Sequence, residues 1–447
     1  MRRLLALGAA LLATSSLLPA ADASAHRQAQ VPGEVVVTYR AAAHQAARAA
    51  VHQAVGVGAP RTIAARTQLV RISDGDSVDA TVRELRARPE VVAAAPNAIA
   101  HASGWIPRDP GLSGVPGGWQ AVQWNFAGPF GVNAPDAWMN LIGAGRPGGR
   151  GTTVAVLDTG VAYRSHGRFR RSPDFDSDDF TKGYDFVAGD RFPDDENGHG
   201  THVAGTIGES TDNGVGVTGL AFGAKLMPIR VLDRSGSGDS VTIAAGIRYA
   251  VRRGADIVNL SFEFGSRTTR RDLPDLLAAL RYAHRHGVLV VAAAGNGGES
   301  ALTYPARARH VVSVGAITEH GCVAAYSNTG TSLDIVAPGG GPDASVAGDP
   351  KCLPEGPGAD IHQVTFSGSE RSFGLPDEYV GTSMAAPHVS ATAALIVASG
   401  VLGRKPAPAA IEAQLKATAR PIGPAPSYGA GLVDAAAATR GVSVALR

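Results

Sequence analysis

The chain has 447 residues, of which 44% are hydrophobic and 18% charged, and a formal net charge of +2. That length is enough for one large core plus a smaller domain, and the composition is that of a globular protein. A charge so slight, with its arginines scattered, gives no footing for nucleic-acid binding.

In chain order, Arg2-Arg3 opens a short apolar run over 4–18. Small-residue cleavage sites follow at Ala21-Asp22-Ala23 and Ala23-Ser24-Ala25. Residues 1–25 therefore read as a signal peptide, and the protein as secreted and extracellular. The run ends at Pro19 and is too short to cross hydrocarbon, so no membrane anchor is expected. Residues 31–100 alternate strand (33–39), helix (41–55), strand (67–72), helix (77–88, closed by Pro89) and strand (91–95), which predicts a small α+β domain. Residues 101–120 lose periodicity and carry Pro107, Pro110 and Pro116, the signature of a linker.

The large domain spans 121–447. Near-continuous apolar strands are expected at 152–157, 225–232, 257–262, 288–292 and 311–314, with helices at 241–252 and 273–285. Buried strands alternating with helices predict an α/β fold, a parallel sheet covered by helices on both faces. Functional loops in such folds lie beyond the carboxyl ends of the strands, where Asp158 and Asn296 fall. The proline- and glycine-rich stretch 339–376 reads as an elaborated surface loop. Two cysteines occur, Cys322 and Cys352. In an oxidising compartment they form one disulfide; the alternative is two separately buried thiols.

Three glycine-framed motifs carry the chemistry: Val156-Leu157-Asp158-Thr159-Gly160, His199-Gly200-Thr201-His202-Val203-Ala204-Gly205 and Gly381-Thr382-Ser383-Met384-Ala385-Ala386-Pro387. The last sets a serine at a helix start, where unpaired amides favour negative charge. A serine hydroxyl needs a base, His199 supplies an imidazole, and Asp158 can orient it. Motifs this long, in this order, resemble the subtilisin-like serine proteases over about 120–440. More weakly, 31–100 resembles that family's inhibitory propeptide. The resemblance implies a secreted serine endopeptidase that cuts proteins through an acyl-enzyme with Asp158, His199 and Ser383. It also implies a propeptide that inhibits its own enzyme and is cut away within 101–120, and a monomeric product.

Further site residues follow from the same resemblance. Asn296, in Ala292-Ala293-Ala294-Gly295-Asn296-Gly297, matches the asparagine that donates to the oxyanion beside the Ser383 amide. Leu232 and Gly236 in one segment, and Ser261 and Phe262 in another, match the extended segments that bind a peptide as an added strand. Where many relatives continue with two glycines, this chain has Glu263-Phe264. A buried unpaired carboxylate is costly, so Glu263 either turns to solvent or awaits a basic partner. The second alternative implies a preference for basic or small residues before the cut. The chemistry requires no cofactor, but the family's frequent use of structural calcium points to Asp174, Asp176, Asp178 and Asp179 as a candidate oxygen cluster, against a plain hydrated acidic loop.

Other readings are weaker. Gly214-Val215-Gly216-Val217-Thr218-Gly219 has dinucleotide-loop spacing but does not run from a strand into a helix. A lipase-type elbow needs glycine where Ala385 stands, and its acid and histidine after the serine. A binding protein on a dead protease fold would not need all four active-site positions filled.

Overall fold

The computed structural model describes residues 30–73, 77–98, 105–345, 352, 354 and 356–440. The signal peptide expected over 1–25 and the stretch 101–104 lie outside them. The chain divides into two compact units, 1–103 and 104–447.

In the first unit β1 (Gln30–Tyr39), α1 (Gln45–Ala54), β2 (Val57–Ala64), β3 (Thr67–Ile72), α2 (Val78–Arg86) and β4 (Val91–Ala98) follow in order. The four strands form an antiparallel sheet in the order β2-β3-β1-β4. Alternation along β1 buries Val35, Val37 and Tyr39 against Val51 of α1 and Val82 and Leu85 of α2. Strand β2 was not expected, because Gly58 and Pro60 interrupt its pattern. It forms at the sheet edge, where a missing ladder donor is tolerated.

The described part of the expected linker, 105–120, is instead woven into the second unit. The fully buried Asp109 carboxylate accepts the amides of Asp212 (2.8 Å), Asn213 (3.0 Å) and Gly214 (3.1 Å). Arg108 pairs with Asp212 at 2.9 Å, and Trp119 is fully buried. Proline content removed helical and strand periodicity here without making the segment free.

The second unit continues with α3 (Trp124–Ala127), α4 (Ala134–Gly143), β5 (Thr153–Asp158), β6 (Tyr184–Asp185), α5 (His199–Gly208), β7 (Lys225–Arg230), α6 (Ser240–Arg252), β8 (Ile257–Leu260), α7 (Pro274–Arg285), β9 (Leu289–Ala293), β10 (Val311–Ile317), β11 (Ile335–Pro338), the small pair β12 (Thr365–Phe366) and β13 (Phe373–Gly374), and α8 (Thr382–Ser399). Seven strands form one parallel sheet in the order β11-β10-β9-β8-β5-β7-β6. Along β5, Val154 and Val156 join the core beneath α4, α5 and α8, while Ala155 and Leu157 join the core beneath α6 and α7. Both faces are dry, which is why the strands read as apolar runs. Helix α8 is buried from Thr382 through Ile396, the central helix of the unit. Strands β6 and β11 were too short to show a period.

Cys322 and Cys352 are disulfide-bonded. The stretch 339–376 is only partly a surface loop. Ile361, Gln363 and Thr365 are fully buried, and the Thr365 hydroxyl donates to the Gly198 carbonyl at 2.6 Å just before α5. No helix among the described residues is long and apolar enough to cross a membrane.

Candidate active site

The site grows from the carboxyl ends of three neighbouring strands. The parallel register pairs Leu157 of β5 with Leu260 of β8, and Leu260 with Ala292 of β9. Asp158 and Ser261 are thus the next residues on adjacent strands, about 5 Å apart by strand spacing. The loop after β9 carries Asn296.

Asp158 is fully buried. Its Oδ1 accepts from Nδ1 of His199 at 2.7 Å and from the Thr159 amide at 2.8 Å. With Nδ1 donating to the carboxylate, the His199 Nε2 is left as the acceptor, the tautomer a general base needs. Desolvation works to lower the His199 pKa. The negative charge and hydrogen bond of Asp158, with the charge of Asp195, outweigh it and hold the imidazole above its ordinary value.

Gly200 lets α5 come this close. A Cβ there would stand 2.1 Å from the Gly160 carbonyl oxygen and 3.1 Å from the Asp158 Cβ. The two motifs are further tied by Asp195, which sequence reasoning did not single out. Its buried carboxylate accepts from the Thr159 hydroxyl (2.9 Å), the amides of Asn197 (2.9 Å) and Gly198 (3.0 Å), and the Thr201 amide (3.0 Å) and hydroxyl (2.6 Å). An acid four residues before the histidine, among turn-forming residues, was the available signal.

Ser383 is the second residue of α8, and α8 packs against α5. The Ser383 hydroxyl donates to the Ser261 carbonyl at 3.0 Å, and the Ser261 hydroxyl donates to the Ser383 carbonyl at 2.8 Å. The second bond has a cause in sequence. Pro387, four residues on, has no N–H to give the Ser383 carbonyl, which is left open to Ser261. Asn259 donates to the Ser261 hydroxyl at 2.9 Å and is itself held by Ser390 at 2.7 Å. The Ser383 amide, in the first helical turn, has no intrahelical acceptor.

The Asn296 Oδ1 accepts from the Thr382 amide at 2.9 Å and hydroxyl at 2.8 Å. The adjoining Gly295 is obligatory, with φ at +112° and a Cβ position 2.3 Å from the Asn328 amide nitrogen. Leu232, Gly236, Phe262 and Glu263 line one cleft of about 280 Å³. Ser261 lies apart from that cleft, buried against Ser383. Asp158 with His199, and Ser383 with Ser261, thus sit at the ends of the neighbouring strands β5 and β8, and Asn296 is tied to Thr382 beside the serine. A base, an alcohol and a carboxamide are parts that acyl transfer requires.

Comparison with known proteins decides the family: the subtilase family profile matches residues 149–431. The chain belongs to the subtilase family. It is 34% identical over 380 residues to the thermophilic serine proteinase of Bacillus sp. (strain AK1), covering 85% of this chain and 81% of the relative. To Subtilisin Savinase of Lederbergia lenta it is 38% identical over 292 residues, covering 65% and 92%. Among solved structures, a protease from Pseudoalteromonas arctica PAMC 21717 superposes with a TM-score of 0.58 at 31% identity, covering 75% of this chain and 99% of that one. Residues 18–97 match the fervidolysin N-terminal prodomain family. This subtilase is therefore a serine peptidase, a peptide-bond hydrolase, that carries a prodomain.

The calcium set expected from sequence does not assemble in this subtilase. Asp174 is fully buried and bonded to the Asn213 amide (2.8 Å) and the Val217 N–H (2.9 Å). Desolvation raises its pKa and that of the neighbouring Glu209. Asp176 and Asp179 cap each other across a short turn, and Asp179 also accepts from Ser210 at 2.7 Å. The Asp178 carbonyl takes the Lys225 ammonium. Among the described residues no group of three or more histidine, cysteine, aspartate or glutamate side chains is disposed to hold a metal. The 214–219 stretch is a loop, as expected, with the Gly216 carbonyl accepting from Gly111 at 2.8 Å.

Proposed function

We propose that Ser383 is the nucleophile, His199 the general base and acid, and Asp158 the group that orients and stabilises the imidazolium. A rotamer change of Ser383 turns its hydroxyl from Ser261 toward the free Nε2 of His199. As the oxygen attacks a peptide carbonyl, His199 takes the proton. Charge growing on the carbonyl oxygen is met by the Asn296 side-chain amide and the Ser383 main-chain N–H. His199 then protonates the leaving amine, and a water activated by the same histidine releases the acyl-enzyme. No step draws on a cofactor.

Protein or polypeptide substrates lie as an added strand against the segments holding Leu232 and Gly236 on one side and Ser261 and Phe262 on the other. The first unit acts as an intramolecular inhibitor until cleavage within 101–120, after secretion directed by residues 1–25. The mature enzyme acts as a monomer. The single observation that carries the reading is the 2.7 Å bond from buried Asp158 to His199, whose other nitrogen is left to serve as base. Casein hydrolysis and labelling by a serine-directed fluorophosphonate test it. Both are expected for the mature enzyme and lost in Ser383→Ala; labelling or hydrolysis retained by that variant overturns the assignment.

A further inference from the structure

Side chains alternate along the extended segment that leaves β8. Phe262 and Phe264 turn to one side, their rings meeting edge to face with centroids 6.5 Å apart, packed on the core beneath α6 and α7. Glu263, between them, turns the other way. Its Oε1 accepts the main-chain N–H of Asn296 at 2.9 Å. Its Oε2 lies 2.7 Å from the point that a Cβ on Gly295 would occupy, a point also approached by the Asn328 side-chain amide nitrogen at 2.3 Å and the Thr303 hydroxyl at 2.7 Å. The carboxylate thus stands in the slot between the ends of β8 and β9, over Gly295 and beside the Asn328 amide and the Thr303 hydroxyl. It is solvent-exposed, and Oε2 accepts no hydrogen bond from the described residues.

We propose that Glu263 is a specificity residue that selects arginine or lysine at the substrate position whose carbonyl Ser383 attacks. This rests on the roles given above to Ser383 and Asn296, which set that substrate residue against 261–263 and 294–296. A docked peptide covers the carboxylate, and a covered anion without a partner is costly. A guanidinium or ammonium entering the slot supplies the partner, through an oxygen left open for it. With an uncharged side chain the anion stays one hydrogen bond from Asn296, beside an oxygen that is becoming negative, and opposes the transition state. Selection therefore acts on kcat as well as KM, by attraction of one class and rejection of the other.

The test compares peptide substrates that differ only in arginine or citrulline before the cut, since citrulline keeps the shape and loses the charge. The mature wild-type enzyme is expected to favour arginine by at least about tenfold in kcat/KM. Glu263→Gln keeps an oxygen for the Asn296 N–H and removes only the charge. Its ratio should fall toward one while kcat on leucine substrates rises. Equal wild-type rates on the pair, or an unchanged ratio in the variant, overturn the proposal. Fluorophosphonate titration of the same preparations separates the two layers. Full labelling without arginine preference sinks the role of Glu263 alone; no labelling and no hydrolysis sink the assignment of Ser383 beneath it.

Discussion

The Asn296 side-chain oxygen is held by both the amide and the hydroxyl of Thr382, one residue before the serine. Since only oxygen can accept those two bonds, the orientation of the carboxamide is fixed and its N–H groups are turned to the site. Replacing Asn296 with alanine should lower kcat about 10²- to 10³-fold with little change in KM, the loss reported for the matching donor in subtilisin itself. A variant that raised KM and kept kcat would assign Asn296 to ground-state binding.

Activity should rise with pH as His199 loses its proton, with the acid limb of kcat/KM above the ordinary imidazole value because the folded pKa is raised. Asp158→Asn removes the charge responsible; the rate should drop about 10⁴-fold and the acid limb move to lower pH. For stability the sign is the reverse of the activity profile. The Asp158–His199 contribution is full below about 6.5 and is lost as pH rises through the folded value. An acid limb unmoved in the variant would detach Asp158 from the titration.

Two other histidines act oppositely. Desolvation lowers His388 to about 4 and His202 to about 3, and both side chains are fully buried. Their folded pKa values lie below the unfolded value near 6.5, so stability is full above that pH and falls as pH drops toward the folded values. Each adds a slope of about 1.4 kcal/mol per pH unit in that window. Urea unfolding of the Ser383→Ala protein from pH 7 to 4 should show this, and His388→Gln should remove one proton from the slope. An identical slope in the variant would contradict it.

The disulfide between Cys322 and Cys352 spans a sequence separation of 30. Closing a loop of that size stabilises by about 3–4 kcal/mol through the unfolded chain. A double Cys→Ala variant should lose that amount in urea unfolding and keep its room-temperature kcat, because neither cysteine touches the catalytic residues. A matching fall in kcat would tie the loop to the site.

Much of this architecture was legible in the sequence because several constraints spoke at once. The strand ending at Asp158 is apolar on both faces and stops at a charge, and Gly200 and Gly295 stand where backbone must pass within contact distance. The role of Asp195 was not legible because its five bonds go to groups that sequence does not order in space. The burial of 361–366 was hidden by the prolines and glycines around it, which mark turns but say nothing of what the chain between them covers. Asp174, Asp176, Asp178 and Asp179 show the converse: density of acids along the chain does not say where each points, and Asp174 turns to Asn213 and Val217 while Asp176 and Asp179 cap each other.

The stitching of Arg108 and Asp109 onto 212–214 bears on what a matured sample contains. Aminopeptidases need slack chain to draw into their own clefts, and here the chain is held from Trp105, packed on Trp138 and Phe222, through Pro107, whose carbonyl accepts from the Trp119 indole, to Arg108. Ragged first cuts upstream should be pared back to a common amino end ahead of that clamp, so an aged preparation becomes more uniform rather than less.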